Sequence, residues 1–227
     1  MNVLCVVAHP DDELFGCGAT LRKLSDRGHH ISSCVLCSSA DARHARPTLA
    51  TLQEVSKKTA RMVGIEETLA FDFQNISFNA IPHIKIVQAI ENAIVRFKPS
   101  WIFTHHLGDL NIDHRVVYDA CMAAVSLPMR MSRDLPVTMI ERVYLCEIPS
   151  STDWASPRDP AFRPTSFFDV STTFDAKLDA LEAFEGALKP PPHSRSRDNV
   201  THLAHVRGAQ VGLALAEAFE LVRDINN

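Results

Sequence analysis

The chain opens with a nearly all-apolar run, NVLCVVA at residues 2–8, followed at once by HPDDE at residues 9–13. A short β-branched run without polar alternation is typical of a parallel strand buried on both faces. Proline disfavours helix at the residue before it, so His9 is expected in extended backbone, and the acidic residues suit the first turn of a helix that ends near Gly28. A strand buried on both faces needs covering layers on both sides, which restricts the fold to the α/β class.

The same strand–helix alternation continues along the chain and predicts a three-layer, Rossmann-like, mostly parallel sheet with helices on both faces. The expected strand order is 3-2-1-4-5. We predict one domain over residues 1–227, with a core at about 1–149 and a C-terminal helical elaboration at about 150–227. The predicted strands after the first are His30–Ser38, Thr68–Phe73, Trp101–His105, Thr138–Ile148 and a short one at Phe167–Val170. The predicted helices after the first are Pro47–Val63, Pro82–Phe97, one from near Asp113, Asp175–Leu188 and His202–Asp224.

Charge and composition exclude several classes of partner. The net charge of −4, without a basic run, argues against a nucleic-acid or anionic-membrane surface. The short basic clusters at residues 43–46 and 195–197 are interpreted as solvated loops. No apolar run approaches the about 18 residues of a membrane span, and no secretory signal opens the chain, so a cytoplasmic location is the expectation. The CxxC at residues 34–37 falls on a predicted strand, where its thiols would point to opposite faces, so it indicates core packing.

Two polar segments follow strands one and four of this predicted sheet. The first is HPDDE, for which the alternative is that Asp11 and Asp12 only cap a helix. The second is THHLGDLNIDHR at residues 104–115. Strands one and four are neighbours in the expected order, so their carboxyl ends form the crevice where open α/β sheets bind ligands. Two coincidental caps would have no reason to follow neighbouring strands, so a functional site is favoured.

AHPDDE after the first strand and GDxNxDHR after the fourth resemble the PIG-L/LmbE family of zinc-dependent N-deacetylases. The resemblance covers most of the chain and implies a hydrolase that removes acetyl groups from N-acetylglucosamine-type sugars. It implies zinc as cofactor, with His9, Asp12 and His114 as ligands and Asp11 as general base. The chemistry agrees, because catalytic zinc takes three N/O side chains and leaves a position for water. A carboxylate that is not a ligand can then accept a proton from that water.

Asp113 and Asn111 flank the third proposed ligand and are harder to assign. Asp113 is a catalytic candidate that orients an imidazole or balances charge, and the alternative is that it caps the following helix. Many relatives carry histidine where this chain has Asn111. That difference leaves the oxyanion-stabilising role open to His105, His106 or a distant residue.

Further substrate-binding candidates follow strands two and three and lie near the C-terminus. Arg43, Asp72 and Asn75 are placed to hold sugar hydroxyl groups, although ordinary surface loops have the same composition. Glu217, expected in the last helix, resembles a family position near the site, and an exposed helix charge is the alternative.

The expected partner is a small N-acylated sugar or sugar conjugate, with neither nucleic acid nor a membrane span involved, and the resemblance makes a homo-oligomer plausible. Two other functions stay open at this point. One is a metallo-amidase that acts on a non-sugar amide or thiol conjugate. The other is a non-catalytic Rossmann-like binding module.

Overall fold

The computed structural model describes residues 1–37, 49–127 and 139–226. Its sheet has the order β3-β2-β1-β4-β5-β7-β6. The first five strands in this order are parallel, as predicted, and β7 runs antiparallel to both β5 and β6. The strands are β1 (Asn2–Val7), β2 (His30–Val35), β3 (Ile65–Ala70), β4 (Trp101–His105), β5 (Arg142–Cys146), β6 (Ser166–Asp169) and β7 (Ala216–Asp224).

Helices cover both faces of the sheet and confirm the three-layer prediction. Alternate residues of β1 enter different cores: Val3 and Val7 pack in the core that contains α1, and Leu4 and Val6 pack in the core that contains α3 and α4. This is why the first strand is apolar at nearly every position. The helices are α1 (Asp12–Asp26), α2 (Leu49–Met62), α3 (His83–Phe97), α4 (Ile112–Ala124), α5 (Phe174–Ala183) and α6 (Arg197–Ala209). None of the helices in these ranges is both long and apolar enough to span a bilayer.

The predicted helix at His202–Asp224 is wrong after Ala209. Helix α6 ends at Ala209, a turn with Gly212 at φ +76° follows, and the chain returns as β7 against the edge of β5. The Gly208 backbone lies so close to the carbonyl of Leu213 that a Cβ there would come within 2.5 Å of it. Local propensity favours helix in this segment, but pairing with an open sheet edge prevails.

Smaller differences concern strand ends and the CxxC. The third strand begins at Ile65, directly after Gly64 at φ +83°, several residues before the predicted start. Cys34 and Cys37 are buried in the hydrophobic core, so core packing is confirmed. They share one core rather than opposite faces, because β2 ends at Val35. The predicted starts at Pro47 and Thr138 lie outside the described residues.

Candidate metal centre

The carboxyl ends of β1 and β4 bring the two polar segments together. The strands pair in parallel over Val3–Cys5, so both chains leave the sheet at the same edge. His9 follows β1, Asp12 begins α1, and His114 lies in the first turn of α4. All three are buried, and one ligand atom from each lies within 4.8 Å of the others.

Each of the two imidazoles has an inner nitrogen, which faces the other proposed ligands, and an outer nitrogen, which faces away from them. The inner and outer nitrogens have different partners. Asp12 Oδ2 lies 3.1 Å from His9 Nδ1 and 3.2 Å from His114 Nε2, and these two ring nitrogens are 3.3 Å apart. The outer nitrogens face carboxylates, His9 Nε2 at 3.0 Å from Asp113 and His114 Nδ1 at 3.1 Å from Asp109. A carboxylate at the outer nitrogen holds the ring proton there, which leaves the inner nitrogen as a lone-pair donor.

This donor set fits a bound cation. Two inward lone pairs and a carboxylate oxygen repel one another unless a positive charge lies between them. Asp12 Oδ1 is also buried and has no hydrogen-bond partner among the described residues. Two imidazoles and one carboxylate make a ligand set of the kind that catalytic zinc takes, with a coordination position left for water.

Protons compete with a cation for this group. Burial lowers the pKa of His9, but its hydrogen bonds to Asp113 and Asp12 outweigh that effect and raise the pKa to about 10. Burial likewise lowers the pKa of His114, but the charge of Asp12 and the hydrogen bond to Asp109 raise it to about 9. Burial raises the pKa of Asp12, yet the two histidines hold it well below its ordinary value. Metal binding therefore has to displace imidazole protons.

Asp109 fixes the His114 ring and was not singled out from the sequence. Its carboxylate accepts hydrogen bonds from the Ser151 hydroxyl, from Thr152 Oγ1 at 2.9 Å and from the backbone N–H of Asn111 at 2.8 Å. These contacts tie the loop after β5 to the loop after β4. The available signal was its position in the same GDxNxDHR segment as His114.

Asp113 contacts the other histidine, His9, rather than its neighbour in sequence. Its carboxylate also accepts the backbone N–H groups of Ile76 at 2.6 Å and Phe78 at 3.0 Å. The helix-cap alternative for Asp113 is wrong, because Asn111 is the N-cap and its side chain accepts the Asp113 amide at 2.9 Å.

Asp11 lies in a strained turn at the start of α1. Its backbone is left-handed at φ 104° and ψ −21°, its side chain makes no capping hydrogen bond, and the residue is buried. The backbone N–H of Asp11 donates to Glu13 Oε2 at 3.2 Å, and burial raises the pKa of Glu13 to about 8. A non-glycine residue in this region costs about 1–3 kcal/mol, and such strain concentrates at functional sites. The simple cap interpretation of Asp11 is therefore wrong.

The paired histidines after β4 have different surroundings. His105 Nε2 accepts the Ala8 amide at 2.9 Å, and its ring stacks on His114 with centroids 3.9 Å apart. Burial lowers the pKa of His105 to about 3. His106 is turned towards β7, with Nε2 3.4 Å from a Glu220 carboxylate oxygen. Only His105 therefore adjoins the proposed ligands.

Two of the remaining substrate-binding candidates lie in the loop after β3. Asp72 is exposed and Asn75 half-buried in the loop after β3, the loop that also supplies two amides to Asp113. Arg43 lies outside the described residues. Substrate contacts of these residues remain predictions.

Glu217 is in β7, and both its helical placement and the exposed-charge alternative are wrong. It is buried, and its carboxylate accepts the backbone amides of Ala19 and Thr20. Lys177 Nζ donates to the same carboxylate at 2.7 Å. These contacts join Glu217 to α1 and α5.

Arg195 is a second residue that sequence patterns do not single out. The interpretation of residues 195–197 as a solvated loop is wrong for this side chain, which is 17% exposed. Its Nη1 lies 3.5 Å from Asp11 Oδ2. The loop before α6 thus reaches the beginning of the chain.

Fold and site together define a Rossmann-like α/β protein with a His/Asp/His group, able to hold a metal ion, at the carboxyl edge of its sheet. The sequence profile of the PIG-L family, described as GlcNAc-PI de-N-acetylase, matches residues 4–125, more than half of the chain. The chain belongs to this family.

Individual relatives agree with this assignment. The chain is 26% identical over 148 residues to the uncharacterized deacetylase YaiS of Escherichia coli K12, a match that covers 61% of this chain and 76% of the relative. The N,N'-diacetylchitobiose deacetylase of Pyrococcus horikoshii shares the fold, with a TM-score of 0.79 and 16% identity over 98% of this chain and 84% of that one.

A structure with a different activity shares the fold equally well. GalB, the 4-carboxy-2-hydroxymuconate hydratase of Pseudomonas putida KT2440, has a TM-score of 0.78 and 20% identity over 100% of this chain and 98% of that one. Likeness at this level shows the fold alone. The reaction therefore has to be argued from the site and the family.

Proposed function

We propose that this protein is a zinc-dependent N-deacetylase that hydrolyses the N-acetyl group of an amino-sugar derivative. The observation that carries the proposal is the convergence of His9, Asp12 and His114, from two distant segments, beside the buried and strained Asp11. The family description, a de-N-acetylase of a glucosamine derivative, supports both the reaction and the sugar.

The three converging side chains would hold the metal, and each histidine is aimed by its own carboxylate. Zinc, when bound, supplies a Lewis acid that polarises the acyl carbonyl and lowers the pKa of the attacking water. Asp11 accepts a proton from that water as its oxygen bonds to the acyl carbon. Asp11 then returns the proton to the amine nitrogen as the C–N bond breaks, so that acetate and a free amine leave.

Positioning falls to the residues around this group. Asp113 holds the ring of His9 and Asp109 that of His114, the arrangement by which outer carboxylates orient metal-bound imidazoles. His105, neutral and stacked on His114, is a candidate to face the acyl oxygen. Asp72 and Asn75 are candidates to bind the sugar hydroxyl groups. The chain acts as one domain in this proposal, because Arg195 of the C-terminal part contacts Asp11.

Metal reconstitution coupled to acetate detection tests the proposal. Protein stripped with a chelator is titrated with zinc, and acetate release is measured from N-acetylglucosamine conjugates, nucleotide-linked N-acetyl sugars, and N-acyl amino acids and thiol conjugates. We expect no release without metal and restored release from a sugar compound with about one zinc ion per chain. Preference for a non-sugar amide would move the substrate assignment to a general metallo-amidase. Absence of both bound metal and hydrolysis would favour a binding module.

A further inference from the structure

Arg195 brings a positive charge to the proposed base from a distant part of the chain. It lies in the loop between α5 and α6, and its Nη1 is 3.5 Å from Asp11 Oδ2, with the Asp11 side chain almost fully buried. At this distance and burial the pair is screened far less than a surface ion pair.

The guanidinium is held in place before any substrate binds. Arg195 Nε donates to the Pro149 carbonyl at 3.1 Å and to Ser150 Oγ at 2.8 Å, and the group lies 4.7 Å from the centre of the Phe15 ring. Ser150 itself has a left-handed backbone at φ 70°. The backbone N–H of Arg195 donates to His193 Nδ1 at 3.0 Å, a local hydrogen bond within the same loop. A planar fork fixed by several contacts orients its partner more strictly than a flexible ammonium group does.

With a metal bound, the Asp11 carboxylate would have two positive groups near it, the Arg195 guanidinium and the metal ion. Asp11 lies between His9 and Asp12 in sequence, two of the residues that would hold the metal, so its carboxylate could compete for the same ion. A coordinated carboxylate has given its lone pairs to the metal and is a poorer base. Arg195 offers a competing cation from the side of Phe15 and Ser150.

We propose that Arg195 is a positioning residue that holds the Asp11 carboxylate in place as a base and away from metal coordination. This inference rests on the proposed function, because it assigns Arg195 an effect only through Asp11.

Kinetics of Arg195→Ala, with Arg197→Ala as matched control, test the inference on the zinc-loaded enzyme. Arg197 is two residues away and pairs with Glu182 on the surface, with both side chains 49% exposed. We expect Arg195→Ala to lower kcat about 10–100-fold with nearly unchanged KM and zinc content. Arg197→Ala should stay within about twofold of the parent. A raised KM with normal kcat would instead indicate direct substrate binding and overturn the proposal.

Combining Arg195→Ala with Asp11→Asn separates an effect through Asp11 from any other. If Arg195 acts through Asp11, the kcat of the double variant should lie within about twofold of the kcat of Asp11→Asn alone, because the group to be positioned is already lost. A further drop of about tenfold in the double variant would contradict the proposal. Guanidinium ion, added below denaturing concentration, should restore part of the kcat of Arg195→Ala and none of that of Asp11→Asn.

The same set distinguishes failure of this inference from failure of the proposed function. A normal rate for Asp11→Asn would remove the base assignment and this inference with it. A normal rate for Arg195→Ala beside an inactive Asp11→Asn would overturn the role of Arg195 and leave the proposed base intact. Where Arg195→Ala folds poorly, Arg195→Gln replaces it in the same comparison.

Discussion

Two clusters of buried charge, one around Lys177 and one around Asp12, differ in how completely their polar atoms are paired. The Lys177 ammonium group is paired within the protein: Nζ donates to Glu217 at 2.7 Å and to the Phe15 carbonyl at 2.6 Å. Glu217 also accepts two backbone amides of α1. Around Asp12, by contrast, two histidine lone pairs face one carboxylate, and Oδ1 of that carboxylate has no partner among the described residues.

The difference shows how buried charge can be sorted into structure and site. A paired and hydrogen-bonded ion pair fixes neighbouring elements in register, here α5 and β7 against α1. A group whose lone pairs converge on one another, with an oxygen left unsatisfied, is stabilised by positive charge, either a bound cation or protons. The comparison predicts that damage to the first cluster lowers stability and damage to the second lowers activity.

Replacement of the proposed base gives the largest expected effect. It tests whether damage near Asp12 lowers activity. Asp11→Asn should lower kcat about 10²–10⁴-fold with zinc content unchanged, because it removes a proton acceptor and no ligand. Turnover and metal analysis of the same preparation measure both. A variant that lost its zinc together with its activity would show that Asp11 is a ligand.

Removal of the buried cation tests the structural cluster. Lys177→Met should lower the free energy of unfolding by about 3–5 kcal/mol, because the Glu217 carboxylate stays buried without its partner. Denaturant unfolding measures the loss, and the zinc content and kcat of the folded fraction should be unchanged. The double variant Lys177→Met with Glu217→Leu serves as control and should recover part of the stability. A loss of turnover with normal stability would place this pair in the site instead.

Weakening the carboxylates behind the histidines should give an intermediate effect confined to metal binding. Asp109→Asn and Asp113→Asn each leave the three proposed ligands intact and should lower zinc affinity about 10–100-fold. Competition with a chromophoric chelator measures the affinity. Glu66→Gln is the matched control, since Glu66 pairs with a histidine that is exposed on the surface, His30. Equal zinc affinities in all three variants would contradict the orienting role.

The convergence of the three proposed ligands was predictable from the sequence because these residues belong to contiguous segments at strand ends. His9, Asp12 and His114 each follow directly from a buried strand and a turn, and the parallel pairing of β1 with β4 brings those ends together. The strand order of the core was predictable for the same reason, since each βαβ unit is a local pattern.

The parts that were missed depend on contacts between distant segments. Segment 216–224 has helical propensity and becomes a strand only because β5 offers an edge. Arg195 is one arginine in a polar loop, and only the folded chain shows that it reaches Asp11. Glu217 is buried by a lysine 40 residues away in sequence, a partner that no local periodicity indicates.

The smallest expected effect concerns Asn111, which lies beside the metal group and caps the helix that carries His114. Its side chain accepts the Asp113 amide, so Asn111→Ala should lower the free energy of unfolding by about 1 kcal/mol. Asn111→Ser keeps a capping oxygen and should be close to the parent in stability, which isolates the cap. Thermal unfolding and kcat are measured together for both variants. If both variants lost turnover about 100-fold while the serine variant kept its stability, the side-chain amide of Asn111 would have a role in catalysis. It would then contact the reacting acyl group in addition to capping the helix.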